Sequence, residues 1–280
     1  MVISRLRGYG LALAAVLFAT QAGAEPLPRC ASHVEISRIK VLRVEKNAVL
    51  VLSDGRAVDL EGILLPAGGR DHAPSFIAHR ALSVLSGLSR HRYATLTLER
   101  PKEDRYGRLR AQVYIRGEGG GTWLQATMLR RGLARVNIAP DRRECAAKLY
   151  AVEREARAAR AGIWAYPAYA LRTPDTLGGD IGTFQIVEGT VQSADVRGGR
   201  AYLNFGNDWH TDFTATISPD DMQVFRRSGV DPRGYAGLRI RVRGWIQSMN
   251  GPEIEVSAPE QIEVLGPASS TSTSDTKRPG

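Results

Sequence analysis

Three arginines and two tyrosines are interleaved along a short stretch, and these residue types suit contact with phosphate groups and nucleic-acid bases. The arginines are Arg105, Arg108 and Arg110, and the tyrosines are Tyr106 and Tyr114. A guanidinium group binds a phosphate through two parallel hydrogen bonds, and a phenol ring stacks on a base. The pattern therefore predicts a face that binds polyanions. The alternative is a solvated strand face whose tyrosines serve packing, and the sequence favours neither.

Two carboxylates, Asp59 and Glu61, occupy positions i and i+2 of a short apolar run. Alternate residues of a strand share one face, so the two side chains point the same way. Carboxylate and carbonyl oxygens are the ligands that Ca²⁺ prefers, which makes Asp59, Glu61 and Asn47 weak candidates for a metal site. We expect instead that Asp59 and Glu61 are solvated surface charges, because ionised carboxylates are seldom buried.

Composition and charge narrow the class of protein. The 280 residues are 43% hydrophobic and 24% charged, as in a globular protein, and two cysteines exclude a four-cysteine zinc site. Residues 25–170 carry 25 basic and 15 acidic side chains, whereas residues 171–280 carry 11 and 14. An anionic partner, nucleic acid or another polyanion, should therefore prefer the first half. Further arginines add to its predicted basic surface, namely Arg130, Arg131, Arg135, Arg142 and Arg143.

Residues 1–24 have the three parts of a signal peptide. Two arginines precede the apolar run Leu11–Ala19, and small residues precede Ala24, so we expect cleavage after Ala24 rather than an uncleaved anchor. The mature chain is then periplasmic or secreted, with no membrane span. In that oxidising compartment Cys30 and Cys145 either form a disulfide or remain free thiols.

The elements that must position these residues are short strands and amphipathic helices. Strands are predicted over 39–44, 49–52, 56–60, 95–100 and 108–116, and helices from Pro74, over 123–131 and over 144–161. Apolar and polar residues alternate along 108–116, which predicts one buried and one outer face. In the last helix Glu153 and Arg157 form an i,i+4 pair that we expect on its solvated side.

The second half has a different pattern. Residues 173–182 are polar and rich in glycine and proline, so 167–183 is expected to be a linker. Strand-like runs with one short helix over 184–265 predict an OB-type barrel, and the tail 266–280 is expected to be disordered. The aromatic residues near its second and third strands are candidates for ligand or protein contact, although core packing explains most of them: Tyr202, Phe205, Trp209 and Phe213.

Residues 35–166 resemble the thermonuclease (staphylococcal nuclease-like) domain family. The resemblance rests on the order of elements, on Asp104-Arg105-Tyr106-Gly107-Arg108-Leu109, on Arg131-Gly132-Leu133-Ala134 and on the ending Gly162-Ile163-Trp164. It implies Ca²⁺-dependent cleavage of DNA and RNA, with Arg108 clamping the phosphate. With the second half included, the expected fold is mainly β (α+β), an OB-type five-stranded barrel with helices followed by a second OB-like barrel.

The sequence departs from the family's pattern at most of the catalytic positions that the resemblance implies. Asp59 stands in place of a phosphate-binding arginine and Asn47 in place of a first-strand aspartate. Leu64 replaces the metal-binding aspartate and Ala67 the glutamate that activates water. With only Arg108 retained, we expect a pseudoenzyme that binds nucleic acid or another polyanion through its Arg-rich face and needs no cofactor. Two alternatives stay open, an active divergent nuclease that uses Ca²⁺ and an envelope scaffold that binds proteins, for which the second barrel is a candidate surface.

Overall fold

The computed structural model describes Cys30 and residues 34–117, 120–208 and 210–268. The predictions made for residues 1–24, for Trp209 and for most of the tail lie outside these ranges. The fold is α+β and dominated by strands, as the sequence predicts. Within the described ranges, none of the helices has the length and apolar character needed to cross a membrane.

The first half folds into a closed five-stranded barrel with helices. Its strands are β1 (Val34–Val44), β2 (Leu50–Leu52), β3 (Ala57–Leu60), β4 (Ile63–Leu64), β5 (Tyr93–Glu103), β6 (Leu109–Gly117), β7 (Gly120–Trp123) and β8 (Arg135–Val136). Its helices are α1 (Ser75–Ser89), α2 (Leu124–Arg130) and α3 (Ala146–Ala158). Antiparallel pairs link β3, β2, β1, β5 and β6 in that order, and the parallel pair β3–β6 closes the ring. The predicted OB-type barrel is confirmed.

Alternation along β6 separates the core from the outer face of the barrel. Four apolar residues point inward and none is more than 3% exposed: Leu109, Ala111, Val113 and Ile115. The residues between them, Arg110 and Gln112, therefore lie on the outer face. Helix α1 packs Ala81 and Leu85 into the same core, on the face that the helical period predicts. The polar chemistry of this barrel is thus confined to its outer face.

Two glycines allow the ends of α2 and α3 to touch. Gly132 and Gly162 have left-handed φ angles of +59° and +56°. A Cβ atom on Gly132 would lie 2.0 Å from the carbonyl oxygen of Ala161, and one on Gly162 would lie 2.1 Å from that of Gly132. The amide of Ile163 donates to the Gly132 carbonyl at 2.8 Å. Only glycine permits this close approach of two backbones, which accounts for both glycines in the motifs.

The second half forms another barrel-like sheet. Its elements are β9 (Phe184–Thr190), β10 (Ser193–Arg197), β11 (Arg200–Asn204), β12 (Thr214–Ile217), α4 (Met222–Arg227), β13 (Leu238–Ser248), β14 (Pro252–Glu255) and β15 (Ile262–Pro267). Pairing runs β10–β11–β12–β14–β13–β9, and because only residues 191–192 separate β9 from β10, the sheet curls back on itself. Phe205 and Phe213 pack in its core with ring centroids 4.9 Å apart. The predicted second barrel is thus confirmed as a curled, barrel-like sheet.

The segment 167–183, predicted as a linker, packs closely against the rest of the chain. It contains two short 3₁₀ helices, Pro167–Tyr169 and Pro174–Thr176. Tyr169 and Leu177 are 2% and 1% exposed. The guanidinium of Arg172 donates to both carboxylate oxygens of Asp180, at 2.7 and 3.1 Å. These contacts tie the connection between the two barrels to both of them.

A buried arginine of the second barrel lies at the centre of the contact between the barrels. Arg243 of β13 is 1% exposed and donates to Glu153 of α3 at 2.8 Å and to Glu263 at 2.5 Å. Its guanidinium also lies 4.3 Å from the centroid of the Tyr150 ring. Glu153 is fully buried, so its predicted place on the solvated side of α3 is wrong, because the second barrel covers that side.

Arg135 of β8 is a second buried arginine at this contact. It is 2% exposed, and it donates to Asp71 at 3.1 Å and to the Phe184 carbonyl of the second barrel. The same carboxylate accepts a hydrogen bond from the Tyr169 hydroxyl at 2.9 Å. Burial lowers the pKa of Arg135. Its expected place on a basic surface is therefore wrong, since its charge is used inside the protein.

Replacing Glu153 with glutamine should lower the free energy of unfolding by about 3 kcal/mol, because the buried Arg243 charge would keep only Glu263 as a counter-charge. Urea unfolding of the full chain measures this change. Glu155→Gln is the matched control, since Glu155 is exposed on the same helix. It should change the free energy by less than about 0.5 kcal/mol. Equal effects of the two substitutions would contradict the role given to Glu153.

Candidate functional site

The outer face of β3 and β6 brings together most of the residues singled out in the sequence. In the parallel pair Asp59 lies opposite Arg110, and Val58 lies opposite Leu109. Arg108 comes directly before β6, so it lies at the end of the strand where Leu109 and Arg110 pair with β3. Carboxylates and guanidinium groups therefore meet on one surface, and their mutual ion pairs decide which charges remain available to a ligand.

Arg110 is held by two carboxylates. Its Nε atom donates to Glu61 at 2.8 Å, and its two terminal nitrogens donate to Asp141 at 2.7 and 3.0 Å. These partners raise the pKa of Arg110 against the opposing effect of burial, and the side chain is only 15% exposed. Arg110 therefore has few donors left for a ligand, because Glu61 and Asp141 already accept its hydrogen bonds, and its part in a polyanion-binding face stays a prediction.

Glu61 and Asp59 are both withdrawn from water. Burial is the main cause that raises the pKa of Glu61, and the nearby charges of Arg110 and Arg142 only partly offset it. Burial likewise raises the pKa of Asp59, and the carboxylate of Asp104 adds to that effect. The expectation of solvated surface charges is thus wrong for Glu61, whose side chain is 10% exposed beside Arg110 and Arg142. Asp59 is partly buried, next to Arg108 and Arg110.

Asp104 organises the turn that precedes β6. Its carboxylate accepts hydrogen bonds from the amides of Tyr106 at 2.8 Å and Arg108 at 3.0 Å. It also accepts two contacts from the Arg108 guanidinium, at 2.7 and 2.6 Å. These hydrogen bonds outweigh burial and keep the pKa of Asp104 below its ordinary value. Gly107 has a φ of +71° in this turn, which explains the glycine between tyrosine and arginine.

Tyr106 projects from the same turn into solvent. The residue is 67% exposed. The guanidinium groups of Arg105 and Arg108 lie 4.9 and 5.1 Å from its ring centroid. An aromatic ring between two cations at the tip of a hairpin offers a stacking surface beside positive charge. This turn is the part of the predicted Arg-rich face that faces outward.

Tyr114 lies farther along the β5–β6 hairpin, away from this tip. It pairs in register with Trp123 of β7, and its ring lies over Gly121, where a Cβ atom would be 1.8 Å from the ring. Tyr114 is therefore a packing residue of the β6–β7 hairpin, in line with the alternative that the sequence left open.

The other metal candidates do not gather around Arg108. Asn47 lies in the turn between β1 and β2, where its side-chain oxygen faces the Val49 amide at 3.4 Å. Leu64 pairs with Arg135 in the β4–β8 ladder, and the Ala67 amide donates to Asp71. Within the ranges that the structure describes, no group of three His, Cys, Asp or Glu residues could hold a metal ion.

A disulfide joins Cys30 to Cys145 beside this site, with their Cα atoms 5.0 Å apart. Together with Glu61 and Arg110, the two cysteines line a cavity of about 20 Å³, which is about the space of one water molecule. Arg142 also lines it, is 4% exposed, and donates to the backbone carbonyls of residues 99–101. Its expected place on the basic surface is wrong for the same reason as that of Arg135.

No local sequence pattern predicts that Asp141 and Arg142 belong to the charged cluster around Arg110. Asp141 reaches Arg110 across 31 positions of the chain, and Arg142 reaches residues 99–101 across more than 40. Asp104 could have been recognised, because an aspartate four residues before Arg108 is a usual ion-pair spacing and caps the turn. These long-range contacts form only when the barrel closes.

A family model described as Staphylococcal nuclease homologue matches residues 78–166. No curated protein matches the chain. The chain therefore carries an SNase-type (thermonuclease) domain, in agreement with its closed barrel, and such a domain suggests a role related to nucleic acid. The match begins after the segment 59–67 and includes Arg108.

Arg110→Gln should raise the pKa of Glu61 further, because it removes both a hydrogen bond and an opposite charge from a buried carboxylate. Carbon-13 NMR titration of the carboxyl groups measures this. In the unaltered chain Glu61 and Asp59 should titrate above the ordinary values of 4.5 and 3.8, and Asp104 and Asp141 below theirs.

Arg116→Gln is the control for this titration, since Arg116 is an exposed residue of the same strand. The folded state holds the Glu61 and Asp59 protons more tightly than the unfolded chain does. These two groups should therefore make stability fall as the pH rises from their ordinary values through their raised ones. A Glu61 pKa that is unchanged in Arg110→Gln would contradict the assigned ion pair.

Proposed function

We propose that this chain binds nucleic acid or another polyanion through the exposed tip of its first barrel, without hydrolysing it. The observation that carries the proposal is Tyr106, exposed between the guanidinium groups of Arg105 and Arg108. The ring is able to stack on a base while the guanidinium of Arg105 attracts a phosphate. The guanidinium of Arg108, on the other side of the ring, is already paired with Asp104. The excess of basic residues in the first half adds long-range attraction.

The residues at the family's catalytic positions support binding without cleavage. Hydrolysis of a phosphodiester needs an activated water and neutralisation of the charge that develops on the phosphate. Leu64 has no side-chain oxygen for a cation, and Ala67 has no group to activate water. Asp59 places a carboxylate near Arg108, where the family has a second cation. The guanidinium of Arg110 already donates hydrogen bonds to Glu61 and Asp141.

We further propose that the protein acts in the periplasm or outside the cell, after removal of residues 1–24. The signal-peptide pattern supports this placement, and the pairing of Cys30 with Cys145 suits an oxidising compartment. A polyanion in that compartment would meet the chain without competition from cytoplasmic nucleic acid.

Purified mature chain incubated with DNA or RNA should leave the substrate equally intact with Ca²⁺, with Mg²⁺ and with chelator, because it lacks the family's metal ligand and water-activating residue. Gel electrophoresis of the substrate measures this. Ca²⁺-dependent digestion that is abolished by Arg108→Ala would overturn the proposal and establish the divergent nuclease instead.

The double variant Arg105→Gln, Tyr106→Ala should bind a single-stranded oligonucleotide about tenfold more weakly, because it removes one stacking ring and one phosphate contact. Fluorescence anisotropy across a salt series measures the affinity, and the log–log salt slope should fall by about one. Arg227→Gln, on the exposed surface of α4, is the matched charge control and should bind as the unaltered chain does. Absence of binding at low salt to DNA, RNA and heparin would favour the protein scaffold.

A further inference from the structure

A broad groove crosses the outer face of the second barrel. It extends over β10, β11, β12 and β14 and has a volume of about 710 Å³. Tyr202 and Asn204 of β11 form part of its floor, and Gln247 and Met249 line one end. Met249 is 62% exposed, so an apolar side chain lies open beside polar groups. The groove is separate from the tip of the first barrel that the proposed function uses.

A second depression continues this groove into the contact between the barrels. It has a volume of about 320 Å³, and its walls come from residues 137–140 of the first barrel and from Phe184 and Trp245 of the second. Trp245 is 46% exposed and stands edge-on to Phe184, with ring centroids 5.8 Å apart. Gln247 and Glu255 line both depressions, so the two depressions adjoin, and together we call them the acidic groove.

The charged residues of the acidic groove leave an excess of carboxylate. Arg200 lies 3.3 Å from Glu255, and Arg197 lies 3.9 Å from Asp195, so each arginine already has a counter-charge within the groove. Glu253 is 9% exposed and accepts a hydrogen bond from a neutral hydroxyl, that of Thr216, at 3.0 Å. Burial raises the pKa of Glu253, and an arriving cation would stabilise its charged form.

The residues around the acidic groove also carry negative charge. Asp221 lines the part that contains Trp245. Asp208 and Asp212 lie in the loop between β11 and β12, whose Gly206 lines the groove. Residues 171–280 as a whole carry more acidic than basic side chains, in contrast to the first half. A polyanion would be repelled here, whereas a polycation would be attracted.

We propose that the acidic groove binds a lysine- and arginine-rich polypeptide segment in an extended conformation. The exposed Trp245 ring offers a cation–π contact to a lysine or arginine head group, with Asp221 and Glu255 lining the same cleft. The apolar stems of such side chains are able to pack on Met249 while their charged ends reach the carboxylates. The two barrels would then bind partners of opposite charge.

Titration of the full chain with the peptide (Lys-Ala)₆ tests this proposal through tryptophan fluorescence and calorimetry. We expect binding that weakens with salt and changes the emission of Trp245. The two other tryptophans that the structure describes, Trp123 and Trp164, are buried away from the groove surface. The double variant Glu253→Gln, Glu255→Gln should bind about tenfold more weakly, since the groove loses one exposed and one nearly buried carboxylate. Trp245→Phe should remove most of the fluorescence change while keeping part of the affinity.

Asp175→Asn is the matched control, because Asp175 is exposed outside the groove, and it should bind the peptide as the unaltered chain does. Circular dichroism of each variant shows that the fold is kept. Equal affinity of the double variant and the control would overturn the proposal. So would preferential binding of (Glu-Ala)₆, of the neutral glycan cellohexaose or of an oligonucleotide in the acidic groove. Loss of oligonucleotide binding at Tyr106 leaves these results unchanged, so the two proposals fail separately.

Discussion

A guanidinium group that is taken out of water needs a carboxylate beside it, and this constraint governs the whole structure. Arg243 and Arg135 are buried between the barrels, where Glu153 and Asp71 balance them. Arg110 obeys the same rule on the outer face of the first barrel. Because removal of one partner leaves an uncompensated charge, each pair fixes the position of the elements that carry it. An arginine-rich chain therefore uses many of its arginines to hold itself together.

The same constraint decides which charges are left for a partner. The closed barrel agrees with the SNase-type domain, and the outer face of its strands β3 and β6 carries internal ion pairs. Exposed cationic character next to an aromatic ring persists at the turn around Tyr106. On the second barrel the balance is reversed, since Arg197 and Arg200 are paired within a groove that is lined by more carboxylates than arginines.

Local sequence patterns were sufficient for most of the elements. Strict alternation along 108–116 and the helical period after Pro74 predict β6 and α1 because each depends on burying one face of a single element. Strands β4, β7 and β8 have only two to four residues, too few for a periodic pattern to predict them, and β4 and β8 form only by pairing with each other across more than 70 positions of the chain. The candidate site was predicted in part: Arg105, Tyr106 and Arg108 lie together at one turn, whereas Arg110 is paired with Glu61 and Asp141 on the outer face and Tyr114 packs on Gly121.

The sequence by itself determined the two barrel-like units, the uneven charge and the apolar residue types at Leu64 and Ala67, because these depend on residue type and on short-range periodicity. Only the tertiary structure decided the environment of each charge. Glu153, expected in water, is buried, and Asp141 meets Arg110 across 31 positions of the chain. Whether a charged side chain is solvated, paired or buried depends on which distant segment covers it, and no local pattern contains that information.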